Sequence, residues 1–117
     1  MCRTNKTDAT EQEKRKLHLK YRIEYSPETE EHFRSLTRRQ QVTLLDNIEK
    51  QLQFQPDIET RNRKPMRPNP VAPWELRIGN LRVYYDFENS PERIVYIRAI
   101  GIKDRNSVRI GREVITL

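Results

Sequence analysis

Residues 74–85, with the sequence WELRIGNLRVYY, read as two short strands joined at Gly79-Asn80. Glycine at the first position of a two-residue loop favours a type II′ hairpin turn. Counting outward from this turn predicts three apolar cross-strand pairs on one face: Ile78 with Leu81, Leu76 with Val83, and Trp74 with Tyr85. The other face then carries the pairs Arg77–Arg82 and Glu75–Tyr84. Because like charges directly opposite each other destabilise a sheet, the arginine pair indicates a surface that binds an anion.

The composition is that of one small, basic domain. The chain has 117 residues, of which 34% are charged, with a net charge of +6 and a pI of about 9.7. Cys2 is the only cysteine, which excludes an internal disulfide, and no Cys/His cluster suggests a zinc site. No apolar run is long enough to cross a membrane, and no signal-peptide pattern opens the chain. We therefore expect a cytoplasmic protein that needs no metal or cofactor and does not bind membranes.

The first half of the chain predicts a strand followed by two helices. Residues 1–16 are almost free of apolar side chains, so we expect a disordered or frayed basic tail before a single domain at 17–117. Strict apolar–polar alternation over 17–25 predicts a strand with one buried face. Ser26-Pro27 is typical of a helix start, and Thr37 with Gln40 fits a capping box for a second helix. Helical spacing predicts a buried stripe on that helix: Val42, Leu44, Leu45, Ile48 and Leu52.

A stiff basic loop and further strands follow. Residues 56–73 contain five prolines and four basic residues, which indicates an extended contact loop. Residues 93–100 predict a strand, 102–107 a loop, and 108–117 a possible short hairpin turning near Gly111. The fold class is thus α+β: an antiparallel sheet of about four strands in the order β-α-α-β-β-β, with a two-helix hairpin on one face. The other face is predicted to be open: Glu75, Arg77, Arg82, Tyr84, Tyr96 and Arg98.

Such a face suits nucleic acid, because arginine binds phosphate in a bidentate manner and tyrosine offers a plane on which bases stack. The chain resembles the RelE/ParE superfamily of toxins from bacterial toxin–antitoxin modules over roughly residues 21–109. The resemblance is carried by the helical hairpin after the first strand and by four segments: the loop at 63–65, and residues 74–79, 81–85 and 99–101. It implies a cognate antitoxin as partner and one of two targets. RelE-like members cut mRNA on the ribosome, whereas ParE-like members inhibit DNA gyrase without a nuclease site.

The resemblance also implies roles for individual residues. Arg82 matches the arginine that contacts the scissile phosphate, Arg77 matches a basic position on the preceding strand, and Lys103 matches a basic position after the last strand's glycine. Glu75 replaces a basic residue of the pattern, and it is either a general base for RNA cleavage or a plain ion-pair partner of the arginines. Further contacts to RNA are expected from basic and aromatic residues around this centre: Arg63, Lys64, Arg67, Tyr84, Arg98, Arg105 and Arg109.

Two positions depart from the RNA-cutting pattern. Arg109 stands where a Tyr or His usually transfers protons, and Met66 stands where another subgroup has a glutamate in the proline-rich loop. Either Tyr84 or Lys103 would then have to act as the proton donor, with a pKa well below its ordinary value. Three functions therefore stay open: a ribosome-dependent mRNA endonuclease, a gyrase inhibitor, and a catalytically weakened binding module.

Overall fold

The computed structural model describes residues 20–116, which form two helices and one seven-stranded sheet. The helices are α1 (Glu28–Arg34) and α2 (Arg38–Leu52). The strands are β1 (Arg22–Tyr25), β2 (Arg63–Pro65), β3 (Trp74–Ile78), β4 (Leu81–Glu88), β5 (Ile94–Asp104), β6 (Ser107–Ile110) and β7 (Glu113–Ile115). The expectations for residues 1–16 and for the strand start at 17–19 lie outside the described residues. Within 20–116, no helix is long and apolar enough to cross a membrane.

The predicted α+β class is confirmed, and the sheet is larger than the expected four strands. Its order is β2-β3-β4-β5-β6-β7 with antiparallel neighbours, and β1 pairs with β5 in parallel. Strand β5 has 11 residues, so one edge accommodates both β1, at Ile94–Ile97, and β6, at Gly101–Asp104. The purely antiparallel sheet of the sequence analysis is therefore wrong at β1.

The central hairpin forms with the predicted register. All five cross-strand pairs between β3 and β4 are present, including Arg77 opposite Arg82 and Glu75 opposite Tyr84. Gly79 has a φ of +59° and Asn80 is not among the positive-φ residues, the pattern that a type II′ turn requires. The turn chemistry and the alternation of side chains thus fix this hairpin from local sequence alone.

The helices cover one face of the sheet and build the main core. Its fully buried members come from α2 and from the predicted apolar face: Leu44, Ile48, Leu52, Leu76, Val83, Tyr85, Val95 and Ile97. The predicted burial of Tyr25, Val42 and Leu45 is wrong, since each is at least 42% exposed. On α2, Leu44, Ile48 and Leu52 recur every four residues and contact the sheet, so residues beside that line face outward.

The two predicted helix starts have different outcomes. The capping box of α2 is confirmed, because Gln40 N–H donates to Thr37 Oγ1 at 3.1 Å and Thr37 N–H donates to Gln40 Oε1 at 2.9 Å. Ser26 does not cap α1. The residue before α1 is Pro27, and the Ser26 hydroxyl instead donates to the carbonyl oxygen of Arg98 at 3.2 Å.

The centre of the second face of the sheet, around Tyr84, is covered as well, contrary to the open tyrosine-bearing surface expected from the sequence. A second core lies there: Ala72, Tyr84, Ala99, Val108 and Ile110, with Met66, Val71 and Ile115 packed against it. Tyr84 is fully buried. Its cover comes from the proline-rich loop and from the C-terminal hairpin, which are distant in sequence and fold back over the sheet.

The predicted loop at 102–107 is also wrong. Strand β5 continues through Gly101 to Asp104, and only Arg105-Asn106 turn the chain into β6. The predicted C-terminal hairpin is confirmed as β6 and β7, with Gly111 at a φ of +61° between them. Gly101 is what allows the close pairing, because it leaves room for side chains from β6.

Substitution of Gly101 by alanine is expected to lower the free energy of unfolding by about 2 kcal/mol. A Cβ at this position would lie 2.6 Å from Val108 Cγ1 and 2.8 Å from the carbonyl oxygen of Arg109, which is backbone and cannot rotate away. Urea denaturation measures the loss. Gly79→Ala serves for comparison, because its Cβ would meet nothing within 4 Å and only the positive φ is strained. Equal stability of Gly101→Ala and wild type would contradict the packing argument.

A cationic cleft around Glu75

Six of the predicted site residues line one cleft of about 520 Å³ between the proline-rich loop and the ends of β3, β4 and β5. They are Lys64, Arg67, Glu75, Arg77, Arg82 and Lys103. The wall is completed by Pro65, Met66, Pro68, Asn69 and Val108. We call this feature the cationic cleft, because five of its lining residues are cationic and one is anionic.

Strand pairing explains why these side chains meet. Residues two apart in a strand share a face, so Glu75 and Arg77 point to the same side of β3. Arg82 lies directly opposite Arg77 on β4, and its partner on β5 is Gly101, which has no side chain to intervene. Lys103 is two residues further along β5 on the same face, so the four groups converge at one end of the sheet.

The carboxylate of Glu75 lies between the two arginines. Its Oε1 accepts a hydrogen bond from Arg77 Nε at 2.8 Å, and its Oε2 is 3.9 Å from Arg82 Nε. Arg82 is held further by its Nη1, which donates to the carbonyl oxygens of Gly79 at 2.7 Å and Leu81 at 2.9 Å. The repulsion predicted for the arginine pair is thus offset by one carboxylate and two turn carbonyls.

The two arginines differ in their availability to a ligand. The side chain of Arg77 is 50% exposed, whereas that of Arg82 is 13% exposed. Within residues 20–116, no hydrogen bond engages Nη1 or Nη2 of Arg77. The resemblance singles out Arg82, but of the two arginines Arg77 is the one more open to an incoming anion.

Asn69 holds the loop wall of the cleft together through hydrogen bonds to the loop backbone, and it is not among the site residues predicted from the sequence. Its Oδ1 accepts from the N–H groups of Val71 at 2.8 Å and Ala72 at 3.1 Å. Its Nδ2 donates to the carbonyl oxygens of Arg67 at 2.7 Å and Ala72 at 3.0 Å. The signal was present as Asn between Pro68 and Pro70, because an asparagine in a turn commonly binds the backbone two residues on.

Replacement of Asn69 by alanine is expected to cost about 1 to 2 kcal/mol of stability and to loosen the loop wall, because four hydrogen bonds to backbone groups are lost together. Thermal unfolding measures the stability, and limited proteolysis reports cleavage near Arg67. Asn62→Ala is the matched control, since Asn62 is exposed and only its backbone groups form hydrogen bonds. Similar behaviour of the two variants would refute the role given to Asn69.

Tyr84 lies behind the cleft rather than in it. The residues Met66 and Val108, which line the cleft, also pack in the core that buries Tyr84. Burial, followed by the nearby charge of Glu75, raises the pKa of the Tyr84 phenol well above its ordinary value. The expectation that Tyr84 stacks on bases is therefore wrong, and its pKa is raised rather than lowered as the predicted role of proton donor requires.

The other predicted RNA-binding residues lie elsewhere. Arg63 is 8% exposed, and its guanidinium donates to the carbonyl oxygens of Gln51, Phe54 and Ile58 inside the protein. Arg98 is exposed and lies over the Tyr96 ring at 5.0 Å. Arg105 occupies the turn between β5 and β6. Arg109 points to the opposite face of β6 from its neighbour Val108, and its Nη1 donates to the Gly111 carbonyl oxygen at 3.0 Å.

A second cavity of about 520 Å³ has none of the lining residues of the cationic cleft. It contains His32, Arg98 and Arg112 together with acidic residues of α1 and β7. The Nδ1 atom of His32 accepts a hydrogen bond from Ile100 N–H at 3.3 Å, and burial lowers the pKa of the imidazole. His32 is therefore neutral at pH 7, and it does not line the cationic cleft. In the described part of the chain, no Tyr or His lines the cationic cleft, and no three His, Cys, Asp or Glu side chains group as a metal site.

The comparison with known proteins supports the fold. No family model matches the sequence, and no curated protein matches it. Among solved structures, a chain of the toxin–antitoxin complex RelBE2 from Mycobacterium tuberculosis superposes with a TM-score of 0.63. The match has 18% sequence identity and covers 73% of this chain and 93% of that chain. The α+β fold expected from the RelE/ParE resemblance is thus confirmed as the fold of a chain from a RelBE toxin–antitoxin complex.

Proposed function

We propose that the protein is the toxin of a toxin–antitoxin module and that it cuts mRNA on the ribosome with the cationic cleft. The observation that carries this proposal is a cleft lined by five cationic residues and one nearly buried carboxylate, Glu75, which is paired with Arg77 and Arg82. Clustered positive charge in a concave site draws in polyanions, and arginine binds phosphate oxygens in pairs. Single-stranded RNA is the substrate class that fits both the cleft and the fold.

Cleavage of RNA by attack of its own 2′-hydroxyl requires three catalytic functions. A base removes the 2′ proton as the oxygen attacks the adjacent phosphorus, cations stabilise the five-coordinate phosphate, and an acid protonates the departing 5′-oxygen. In our proposal Glu75 is the base and Arg77 and Arg82 stabilise the phosphate. Lys103 protonates the leaving oxygen, because of the two candidate donors it is the one that lines the cleft. The products are a 2′,3′-cyclic phosphate and a 5′-hydroxyl end.

Induced expression tests the nuclease directly. We expect wild-type protein to arrest growth and to produce new mRNA 5′ ends in primer extension, and Arg77→Gln to reduce those ends at least tenfold. Arg39→Gln is the control, because Arg39 is exposed at the start of α2. Growth arrest without new 5′ ends, accompanied by loss of supercoiling, would refute the nuclease and favour inhibition of gyrase. Absence of any growth effect would favour a binding module.

We further infer a cognate antitoxin as partner, because a solved structure with this fold belongs to a toxin–antitoxin complex. Co-expression with the adjacent small reading frame tests the pairing. The expected result is a complex that co-purifies and restores growth. A neighbouring product that neither binds nor relieves the arrest would contradict the module.

A further inference from the structure

One polar group in the second core has no structural explanation. The Tyr84 hydroxyl is buried, and within residues 20–116 it forms no hydrogen bond of ordinary geometry, although the Glu75 carboxylate lies close enough to act on it as an acceptor. A buried hydroxyl without a partner destabilises a fold, and phenylalanine would fill the same space among Ala72, Ala99 and Val108. Packing therefore accounts for the ring of Tyr84 but not for its oxygen.

The position of the Tyr84 hydroxyl beside Glu75 indicates a role for it. Tyr84 lies directly opposite Glu75 in the β3–β4 pairing, and the Glu75 charge is near enough to act on the phenol. In the free protein, Glu75 Oε1 already receives its hydrogen bond from Arg77. The close donor to the Glu75 carboxylate in the free protein is thus Arg77, with Arg82 Nε 3.9 Å from Oε2. The Tyr84 hydroxyl is a further donor nearby, and it has not yet formed a hydrogen bond of ordinary geometry with the carboxylate.

A phosphate in the cleft would change this arrangement. Arg77 is half exposed and is the more accessible of the two arginines, so its guanidinium would turn toward an incoming phosphate. Glu75 would then lose the donor to Oε1. Because Glu75 is only 8% exposed, solvent is poorly placed to replace that hydrogen bond.

We propose that Tyr84 is a positioning residue: when Arg77 moves to the RNA phosphate, the Tyr84 hydroxyl donates to Glu75 and holds its carboxylate facing the substrate. The inference rests on the function proposed above, since Glu75 is given the role of base. Tyr84 itself does not touch the RNA.

The first test needs no ligand. Arg77→Met removes the guanidinium from Glu75, as its movement to a phosphate would. In the wild-type background, Tyr84→Phe should leave the unfolding equilibrium constant unchanged or lower it. In the Arg77→Met background, the same change should raise that constant at least about tenfold, because a hydrogen bond to a carboxylate is lost. Tyr96→Phe is the control: its hydroxyl donates to Glu88 at 2.7 Å, so its effect should be equal in both backgrounds. An equal effect of Tyr84→Phe in both backgrounds would overturn the inference.

Cleavage kinetics on ribosomes separate the inference from the proposed function. We expect Tyr84→Phe to lower kcat about tenfold and to leave KM within about twofold, since the residue acts through Glu75. Wild-type cleavage together with an unchanged kcat for Tyr84→Phe would refute the role of Tyr84 alone. No cleavage by wild type would refute the proposed function. The difference between the effects of Tyr84→Phe on the unfolding equilibrium in the two backgrounds would still show whether the Tyr84 hydroxyl donates to Glu75 once the Arg77 guanidinium is gone.

Discussion

Exchange of Arg77 and Lys103 for glutamate is expected to weaken the binding of single-stranded RNA by about 100-fold or more at low salt. Both side chains line the cationic cleft, and the double exchange would cancel the excess of four positive charges among its lining residues. The fold should survive, because Arg77 is half exposed and the carbonyl contacts that fix the hairpin turn belong to Arg82. The loss therefore reports the electrostatics of the cleft.

Fluorescence anisotropy with a labelled RNA oligonucleotide measures this affinity across a series of salt concentrations. Arg38→Glu with Arg39→Glu changes the net charge by the same amount in the exposed first turn of α2, where the helix dipole favours negative charge. We expect that control to weaken binding only slightly, and the cleft variant to show a shallower salt slope. Equal losses in both double variants would mean that overall charge, rather than the cleft, determines the affinity.

Replacement of Arg63 by methionine is expected to lower the free energy of unfolding by about 3 kcal/mol. The buried guanidinium donates to the carbonyl oxygens of Gln51, Phe54 and Ile58, at and beyond the end of α2. The last carbonyls of a helix have no partner within the helix, and Arg63 supplies one from β2. Methionine fills part of the space and leaves those oxygens without their donor.

Urea denaturation and thermal melting measure this loss, and a decrease of more than about 10 °C in Tm is expected for a domain of this size. Arg61→Met is the matched control, because Arg61 is exposed and lies two residues earlier in the same loop. If Arg63→Met is about as stable as Arg61→Met, this contradicts the role of Arg63 as a cap of α2. The sequence-based prediction of Arg63 as an RNA-contacting residue would then stand.

Local sequence was sufficient for the central hairpin and for the start of α2. The turn at Gly79-Asn80 and the capping box at Thr37 depend on residues within a few positions of each other, so their geometry follows from the residue types. The strand periodicity then places Arg77 and Arg82 on one face. Together with the resemblance, which marks Lys103, this predicted the cationic side of the cleft.

The environment of Tyr84 and Arg63 could not be predicted in this way. Both stand in patterns typical of exposed residues, a polar strand face and a basic loop. Their burial comes from other segments of the chain. Met66 and Val108 pack in the core around Tyr84. The C-terminal end of α2 lies against Arg63, and its Gln51 carbonyl oxygen accepts a hydrogen bond from the Arg63 guanidinium. The prediction of a loop at 102–107 is wrong for a related reason. A glycine weakens a strand in isolation, but Gly101 here allows β5 and β6 to approach closely.

Cleavage of mRNA on purified ribosomes by wild type and by Glu75→Gln tests the central claim most directly. The amide has the shape of the carboxylate and cannot accept the 2′-hydroxyl proton, so we expect RNA affinity within about threefold of wild type and a cleavage rate at least about 100-fold lower. Cleavage by Glu75→Gln at the wild-type rate would contradict the account, because Glu75 would then be only the ion-pair partner of Arg77 and Arg82.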